Sequence, residues 1–277
     1  MISLNLQGKT HQFTSPVVMG ILNVTPDSFY DGGKLSSTHA LLTQAENMIA
    51  EGASILDLGG MSSRPGAEII SEEEELNRLL PALESLTSRF KTIISIDTIR
   101  ASVADACLKA GAHIINDISA GRFDRQMIPV VAQHGAPFVI MHMQGLPATM
   151  QQQPQYENVT TEVMQFLSER IKACNEAGIS QLILDPGFGF GKTMEHNYAL
   201  LKNLHTFQQL KLPLLAGVSR KSMICKVLEV NPAQALNGTT AVNMVTLMNG
   251  ANILRVHDVK EAMETVKIYK QLQQAIS

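Results

Sequence analysis

The chain has 277 residues, of which 45% are hydrophobic, and a formal net charge of −3 at pH 7. This charge excludes a general attraction to nucleic acid or to an anionic membrane, so any anion-binding site must be local. No apolar stretch reaches the length that crosses a bilayer, and no secretory signal is visible. Cys107, Cys174 and Cys225 lie far apart, which is typical of reduced thiols. We therefore expect a soluble cytoplasmic protein.

Eight short apolar runs, each ending in polar residues, follow a lead-in over 1–16. The lead-in predicts a hairpin or extended segment with a turn at Gly8-Lys9. The runs cover 17–23, 54–60, 92–98, 113–117, 138–143, 181–187, 214–221 and 252–257. Continuous apolar runs are typical of parallel strands that are buried on both faces.

Helix-like stretches separate these runs. They cover 38–51, a stretch that starts after Ser71, 101–110, 125–134, 157–177, 195–208, 233–249 and 258–275. Ser71 followed by acidic residues is typical of a capped helix N-terminus, and several stretches close on glycine. The alternation has no internal linker. It predicts a single domain over 1–277, an α/β fold of the (β/α)8 TIM barrel type with an N-terminal hairpin-like extension.

In such a barrel the C-terminal ends of all strands meet at one rim, where the active site is built. The polar residues expected to converge there are Asn23, Asp97, Asn116, His142, Asp185, Lys221, Arg255 and His257. Three connections on this rim, 24–37, 60–70 and 144–156, are longer than most. The first two are interpreted as lids that exclude water, and the third as an ordinary surface loop.

Two carboxylates at strand ends indicate the chemistry of the cleft. Asp97 and Asp185 each end an unbroken apolar run, so each needs hydrogen-bond donors or an opposite charge. With Asn116 they suit the donor-rich edge of a polar heterocycle, and a structural capping network is the alternative. Asp57, inside a strand, is interpreted as structural, and His142 is left open between the two roles.

The stretch 185–193 (Asp-Pro-Gly-Phe-Gly-Phe-Gly-Lys-Thr) resembles a phosphate-binding P-loop at first sight. Pro186 stands where that motif requires a glycine, so nucleoside triphosphate chemistry is not predicted. The alternating glycines instead allow the backbone to approach a flat ligand closely. Phe188 or Phe190 would then stack on that ligand.

A second group of residues favours an anion site. The segment 217–222 ends a strand and opens a helix, where amides, Lys221 and Ser222 can bind an anion. Arg255 and His257 are two residues apart on the last strand and therefore lie on the same side of it. Together with Arg64 they suit a diphosphate clamp, and scattered salt bridges on the rim are the alternative.

The sequence contains no motif for a protein-bound transition metal. A hard cation such as Mg2+, carried in by a diphosphate, needs only one or two protein oxygens, and Asn23 can supply one. A catalytic triad is also missing, because Ser219 has no evident partner in the sequence. The expected chemistry therefore proceeds without an enzyme nucleophile.

In their order and register these motifs closely resemble the dihydropteroate synthase family. The resemblance is carried by 19–29, 63–66, 97–98, 116–117, 185–192, 219–222 and 255–257. It implies a transferase of folate biosynthesis that condenses 6-hydroxymethyl-7,8-dihydropterin diphosphate with 4-aminobenzoate and releases diphosphate, with Mg2+ as cofactor. It also implies a homodimer and inhibition by sulfonamides.

By position, the resemblance implies three sets of site residues. The pterin set is Asp97, Asn116, Asp185, Phe190, Gly217 and Lys221. The diphosphate set is Asn23, Arg64, Arg255 and His257, with Asn23 as the metal ligand. The aminobenzoate set is Phe29, Arg64, Pro65, Lys221 and Ser222. The expected catalytic residues are Asp97, Asp185, Lys221, Arg255 and His257.

The chain departs from the family pattern at several positions. Met61 and Ser63 stand where the family usually has Glu and Thr, Arg100-Ala101 lies near a usual Lys-Pro pair, and Cys225 replaces a usual Gly. Met61 removes a charge from the second long loop, which bears on loop closure and on affinity for aminobenzoate or sulfonamides. The alternatives are a methyltetrahydrofolate–corrinoid methyltransferase, which needs no diphosphate clamp, and a pterin-binding paralogue without turnover.

Overall fold

A computed structural model describes residues 2–24, 33–61, 70–146, 149–150 and 153–275, with the backbone alone for 33–37. The chain begins with an antiparallel hairpin of β1 (Ile2–Leu6) and β2 (Lys9–Phe13). Its two turn residues, Gln7 and Gly8, have φ angles of 49° and 81°. Positive φ at both positions suits the twist of a two-residue hairpin, so the turn lies one residue before the predicted one.

Eight parallel strands form the barrel wall. They are β3 (Val17–Asn23), β4 (Ile55–Gly59), β5 (Ile93–Asp97), β6 (Ile114–Asp117), β7 (Phe138–Met141), β8 (Leu182–Asp185), β9 (Leu215–Ala216) and β10 (Ile253–Val256). Strands β3 to β8 pair in sequence order, and β10 lies between β9 and β3. A parallel bridge between Leu184 and Leu214 brings β8 beside β9 and nearly closes the barrel. The predicted TIM barrel is confirmed.

Helices cover the outside of the barrel. They are α1 (Gly33–Glu51), α2 (Glu72–Arg89), α3 (Ala101–Lys109), α4 (Met127–His134), α5 (Val159–Glu176), α6 (Met194–Lys202), α7 (Ser222–Leu228), α8 (Leu236–Met248) and α9 (Val259–Gln274). Ser71 caps α2 by accepting a hydrogen bond from the Glu74 amide (3.1 Å), as predicted. Across the described ranges, every helix is too short or too polar to span a bilayer.

Two predicted boundaries are wrong. Helix α1 starts at Gly33, so the first long connection ends well before residue 37. The predicted helix over 195–208 is split into α6 and a 3-10 helix, Leu204–Leu210. Asn203 lies at the break, where its side-chain amide donates to Ala199 O (2.9 Å). A side chain that bonds to the preceding turn competes with continuation of an α-helix.

The lower half of the barrel is an apolar plug. The side chains of Ile2, Leu4 and Leu6 pack against the inward-facing residues of the strands. Those residues are Val17, Met19, Ile55, Ile93, Ile114, Val139, Ile183, Leu215 and Ile253. The hairpin therefore closes the N-terminal end of the barrel, and the polar residues of the strands lie at the other end.

We predict that Leu4→Ala lowers the free energy of unfolding by about 2–5 kcal/mol, because it leaves a cavity beneath the barrel. Chemical denaturation followed by circular dichroism measures this change. Ser3→Ala is the matched control, since Ser3 is exposed on the opposite face of the same strand. If both variants were as stable as the wild type, the hairpin would not seal the core.

Candidate active site

The polar side chains of the site face inward because the barrel strands alternate. Residues two positions apart on a strand point to the same face. The next layer above the apolar plug therefore contains Asp57, Ser95, Asn116, Asp185 and Arg255. The strand register pairs Asp57 with Ser95 and Asp97 with Asn116 on neighbouring strands. A polar layer thus lies directly on an apolar one.

Arg255 joins two carboxylates at the centre of this layer. Its Nε donates to Asp57 Oδ2 (2.6 Å) and its Nη2 donates to Asp97 Oδ2 (2.8 Å). Asn116 Nδ2 donates to the same Asp57 oxygen (3.0 Å). The other Asp57 oxygen and the hydroxyl of Ser95 are buried without a hydrogen-bond partner in the described part of the chain. Asp57 therefore fixes the position of Arg255. Its second oxygen and the Ser95 hydroxyl can still accept a hydrogen bond.

Burial controls the ionisation of these groups. Burial raises the pKa of Asp97 to about 7, although Arg255 lowers it. The pKa of Asp185 is also raised by burial, against the effect of Lys221. For Arg255, burial lowers the pKa, but Asp57 and Asp97 outweigh it and raise the value overall. Arg255 thus keeps its charge, and its cation opposes the effect of burial on Asp97.

Lys221 lies at the start of α7 and contacts the glycine-rich stretch. Its Nζ is 4.7 Å from the centroid of the Phe190 ring and donates to Phe188 O. A Cβ on Gly217 would lie 3.9 Å from this Nζ and 3.9 Å from Arg255 Cβ, so Gly217 borders both cations. Burial lowers the pKa of Lys221 to about 8, although Asp185 raises it. The structure brings these predicted residues together.

The glycine-rich stretch is shaped by a neighbouring loop. A Cβ on Gly187 would lie 1.9 Å from His142 O, and one on Gly191 would lie 2.3 Å from Gln144 O. Both glycines have positive φ, 72° and 60°. Close backbone contact and conformation therefore require these glycines without any ligand. Phe188 is fully buried in the outer core, which leaves Phe190 as the ring beside the site.

His142 does not face the cleft. Strand β7 ends at Met141, and the His142 ring packs edge-on against Phe166 (5.0 Å between centroids) behind the glycine-rich stretch. Its Nδ1 lies 3.0 Å from Lys192 Nζ. Burial, with Lys192 adding to the effect, lowers the pKa of His142 to about 2. The expected convergence of His142 on the rim is therefore wrong, and the residue is a neutral part of the core.

The end of β10 presents His257, which is oriented by Ser219. The Ser219 hydroxyl lies 3.0 Å from His257 Nδ1 and accepts a hydrogen bond from the His257 amide (3.2 Å). Ser219 thus has the partner that the sequence did not reveal. Arg220 turns away from the site and forms two bonds to Asp258 (2.9 and 2.7 Å). Arg220 is structural, although its neighbour Lys221 lines the site.

The remaining predicted residues lie at the edge of the site or outside the described residues. Asn23 is half-buried at the end of β3, and a Cβ on Gly59 would lie 3.1 Å from its Oδ1. Ser222 is the exposed first residue of α7. Phe29, Arg64 and Pro65 fall outside the described residues. Among those described, no three His, Cys, Asp or Glu side chains are grouped around a metal position.

Met61 belongs to an apolar cluster beside the site. The buried members of this cluster are Ile99, Ile118, Met141, Met143 and Met150, and Phe123 and Phe190 pack against it. Met61 packs against the same cluster from the first residues of the second long connection. The side chain that replaces a usual acidic residue is thus accommodated by hydrophobic contact.

Comparisons with known proteins agree with this geometry. The model of the pterin binding enzyme family matches residues 19–257. The curated dihydropteroate synthase of Escherichia coli K12 is 47% identical over 269 residues, which cover 96% of this chain and 95% of that protein. The chain belongs to the dihydropteroate synthase family. It is therefore an enzyme, a transferase of the pterinylmethyl group.

Solved structures of the family have the same fold. A Yersinia pestis dihydropteroate synthase, solved as a sulfonamide drug complex, superposes with a TM-score of 0.93 at 44% identity, covering 99% of this chain and 100% of that one. A Xanthomonas albilineans dihydropteroate synthase, solved with 4-aminobenzoic acid, has a TM-score of 0.93 at 39% identity and 99% coverage of both chains. The likeness thus extends over nearly the whole chain.

Two residues, Asp57 and Lys192, have contacts that the sequence does not predict. Asp57 is interpreted from the sequence as structural, with no partner named, and in the structure it forms an ion pair with Arg255. An acidic residue inside an apolar strand is the available signal, because such a residue needs a cation. Lys192 receives no role from the sequence, since its burial cannot be read from the spacing of the glycine-rich stretch.

We predict that Arg255→Met lowers the free energy of unfolding by about 3–5 kcal/mol, because Asp57 and Asp97 lose their common cation. Urea unfolding at neutral pH measures the loss. Lys221→Met is the control, since the Lys221 ammonium donates to a backbone carbonyl, and it should lose less than half as much. The double variant Asp57→Asn/Arg255→Met should recover part of the stability. Equal losses for Arg255→Met and Lys221→Met would contradict the central role of Arg255.

Proposed function

We propose that the site over the barrel condenses 6-hydroxymethyl-7,8-dihydropterin diphosphate with 4-aminobenzoate to form 7,8-dihydropteroate and diphosphate. The observation that carries this proposal is the convergence of Asp97, Asn116 and Asp185 with Lys221 and Phe190 at the top of one barrel. Carboxylates accept hydrogen bonds from a donor-rich ring edge, and a side-chain amide both donates and accepts. An aromatic ring provides a flat face beside them.

The diphosphate is assigned to Asn23, Arg64, Arg255 and His257. Arg255 lies on β10 and His257 directly follows its last residue, Val256, with Ser219 bonded to the His257 ring. Asn23 Oδ1 suits a hard cation, because Mg2+ binds through one or two protein oxygens and takes its other ligands from phosphate and water. Mg2+ bound there would neutralise part of the negative charge of the leaving diphosphate.

The aminobenzoate site is assigned to Phe29, Arg64, Pro65, Lys221 and Ser222. Lys221 and Ser222 begin α7, directly beside Phe190 and the pterin set. Relatives solved with 4-aminobenzoic acid and with a sulfonamide drug support this substrate and this inhibitor class for the chain. The cation of Lys221 would favour the carboxylate or sulfonamide end over an uncharged ring.

The reaction breaks the carbon–oxygen bond to diphosphate and forms a carbon–nitrogen bond at the exocyclic methylene of the pterin. Buried carboxylates around the ring favour the positive charge that develops on the pterin, and the cationic groups favour the departing diphosphate. The amine of 4-aminobenzoate attacks the methylene carbon and then loses a proton. Ser219, bonded to His257, is not required as a nucleophile.

A pterin-binding paralogue without turnover, the alternative that Met61 raises in the sequence, is disfavoured because the curated relatives are dihydropteroate synthases. The methyltetrahydrofolate–corrinoid methyltransferases are disfavoured, because they have no use for a diphosphate site. A single assay separates the candidates. Purified protein is mixed with both substrates and MgCl2, and diphosphate release is measured with and without EDTA. Release that needs both substrates is the expected result, whereas pterin binding without release would favour the paralogue.

We predict that Asp185→Asn weakens binding of the pterin diphosphate by about 2–4 kcal/mol, because a buried charged hydrogen bond is lost. Calorimetric titration measures the affinity. Asp117→Asn is the matched control: its carboxylate accepts bonds from the amides of Ser119 (2.7 Å) and Gly121 (2.6 Å), outside the site. Unchanged affinity in Asp185→Asn would overturn the assignment of the pterin set.

A homodimer is also proposed, with the outer surface of α7 and α8 as the interface. Val227, Leu228, Val245 and Met248 are 40–61% exposed on these two helices. Exposed apolar side chains that cluster on adjacent elements indicate an interaction surface. The mass measured by light scattering should fall to that of one chain in Leu228→Lys/Val245→Lys. Ile268→Lys, on α9, is the control and should remain a dimer.

Two further assignments complete the proposal. The three cysteines are free thiols, which supports the expected cytoplasmic location. The barrel and its hairpin share a continuous apolar layer, which supports one domain over 1–277.

A further inference from the structure

We propose that Lys192 is a positioning residue for the pterin site. Its buried ammonium holds the glycine-rich stretch, residues 187–191, in the shape that presents Phe190 and Lys221 to the ring. The inference rests on the pterin role given to those two residues under the proposed function. Lys192 is only 2% exposed and donates to the backbone of the stretch, so it acts through the stretch and not on the substrate.

The ammonium of Lys192 is fully used by its surroundings. Its Nζ donates to Gly187 O (2.9 Å) and to Phe190 O (3.2 Å). It lies 3.0 Å from His142 Nδ1. The carbonyl oxygen of His142 is a fourth, more distant acceptor at 3.4 Å, so the three protons of the ammonium all have acceptors. The third bond requires an unprotonated Nδ1, which agrees with the neutral state of His142.

One backbone hydrogen bond lies within the glycine-rich stretch, from the Phe190 amide to Gly187 O (3.2 Å), and side chains make several others. Gly191 O accepts from Tyr156 Oη (2.7 Å), and the Gly189 amide donates to Asn197 Oδ1 (2.7 Å). Phe188 O accepts from Lys221. Lys192 donates to two of the other carbonyls, those of Gly187 and Phe190. Since the stretch belongs to neither a helix nor a strand, these side chains define its shape.

The glycines of the stretch have a left-handed backbone conformation. Gly187, Gly189 and Gly191 have φ angles of 72°, 80° and 60°. Lys192 binds the carbonyls of Gly187 and Phe190, and Lys221 binds the carbonyl of Phe188. Without the ammonium, Phe190 O would lose its Lys192 donor, and Gly187 O would keep only the Phe190 amide. The stretch would then rearrange to hydrate them, and the Phe190 ring would move with it.

The test compares pterin binding in Lys192→Met, which keeps the length of the side chain without its donors, with wild type. Titration calorimetry with the pterin diphosphate, without aminobenzoate, should show a dissociation constant at least tenfold higher. Lys192→Gln retains two N–H donors and should recover part of this loss. Leu83→Ala, a buried residue of α2 remote from the site, controls for general destabilisation and should bind as wild type does once the folded fraction is counted.

If Lys192→Met does not fold, His142→Phe decides the question. It keeps the ring contacts with Phe166 and Tyr156 but removes the acceptor, and pterin binding should weaken at least threefold. Dissociation constants within twofold of wild type in the folded Lys192 and His142 variants would overturn the inference. If the proposed function itself is wrong, Asp185→Asn will bind the pterin diphosphate as tightly as the wild type does. That result distinguishes failure of the proposed function from failure of this inference.

Discussion

The guanidinium of Arg255, held between Asp57 and Asp97, is the interaction on which the arrangement of the site depends. Two buried carboxylates on adjacent strands repel each other and lose hydration, and one forked cation reduces both costs. Because a buried ion pair adds little net stability over apolar residues, its value lies in fixing Asp97 at one place. Asn116 completes the group by bonding to Asp57. The acceptors assigned to the pterin under the proposed function are thus oriented by the barrel itself.

This arrangement is possible because the barrel separates its functions by layer. Apolar side chains and the hairpin close one end, so the charged layer above them lies toward the opposite rim. The strand-end groups are set by the register of a rigid sheet. Lys221 and Phe190 instead lie on connections, and backbone carbonyls of the glycine-rich stretch define their position. The site therefore combines a preformed part on strands with a part that depends on side-chain support.

Periodicity and topology are sufficient to predict the strand-borne half of the site from the sequence. Apolar runs ending in Asp97, Asn116 and Asp185 require these residues to meet once the strands are parallel and closed. The orientation of a side chain beyond a strand end cannot be predicted in this way, because it depends on the loop backbone. For this reason His142 faces the core against expectation, and only the burial of Phe188 decides between the two phenylalanines. Phe29, Arg64 and Pro65 remain predictions from resemblance.

Met61 departs from the family pattern, but the ends of its loop are fixed by contacts that do not involve its side chain. The carbonyls at the two ends of its loop are held by arginines: Arg78 donates to Gly60 O (3.0 Å) and Arg100 to Ile70 O (2.5 Å). Arg100 is itself paired with the buried Glu75. These anchors do not involve the Met61 side chain, which packs on the apolar cluster that also contacts Phe190. The methionine therefore leaves the loop ends fixed and adds an apolar surface beside the Phe190 ring.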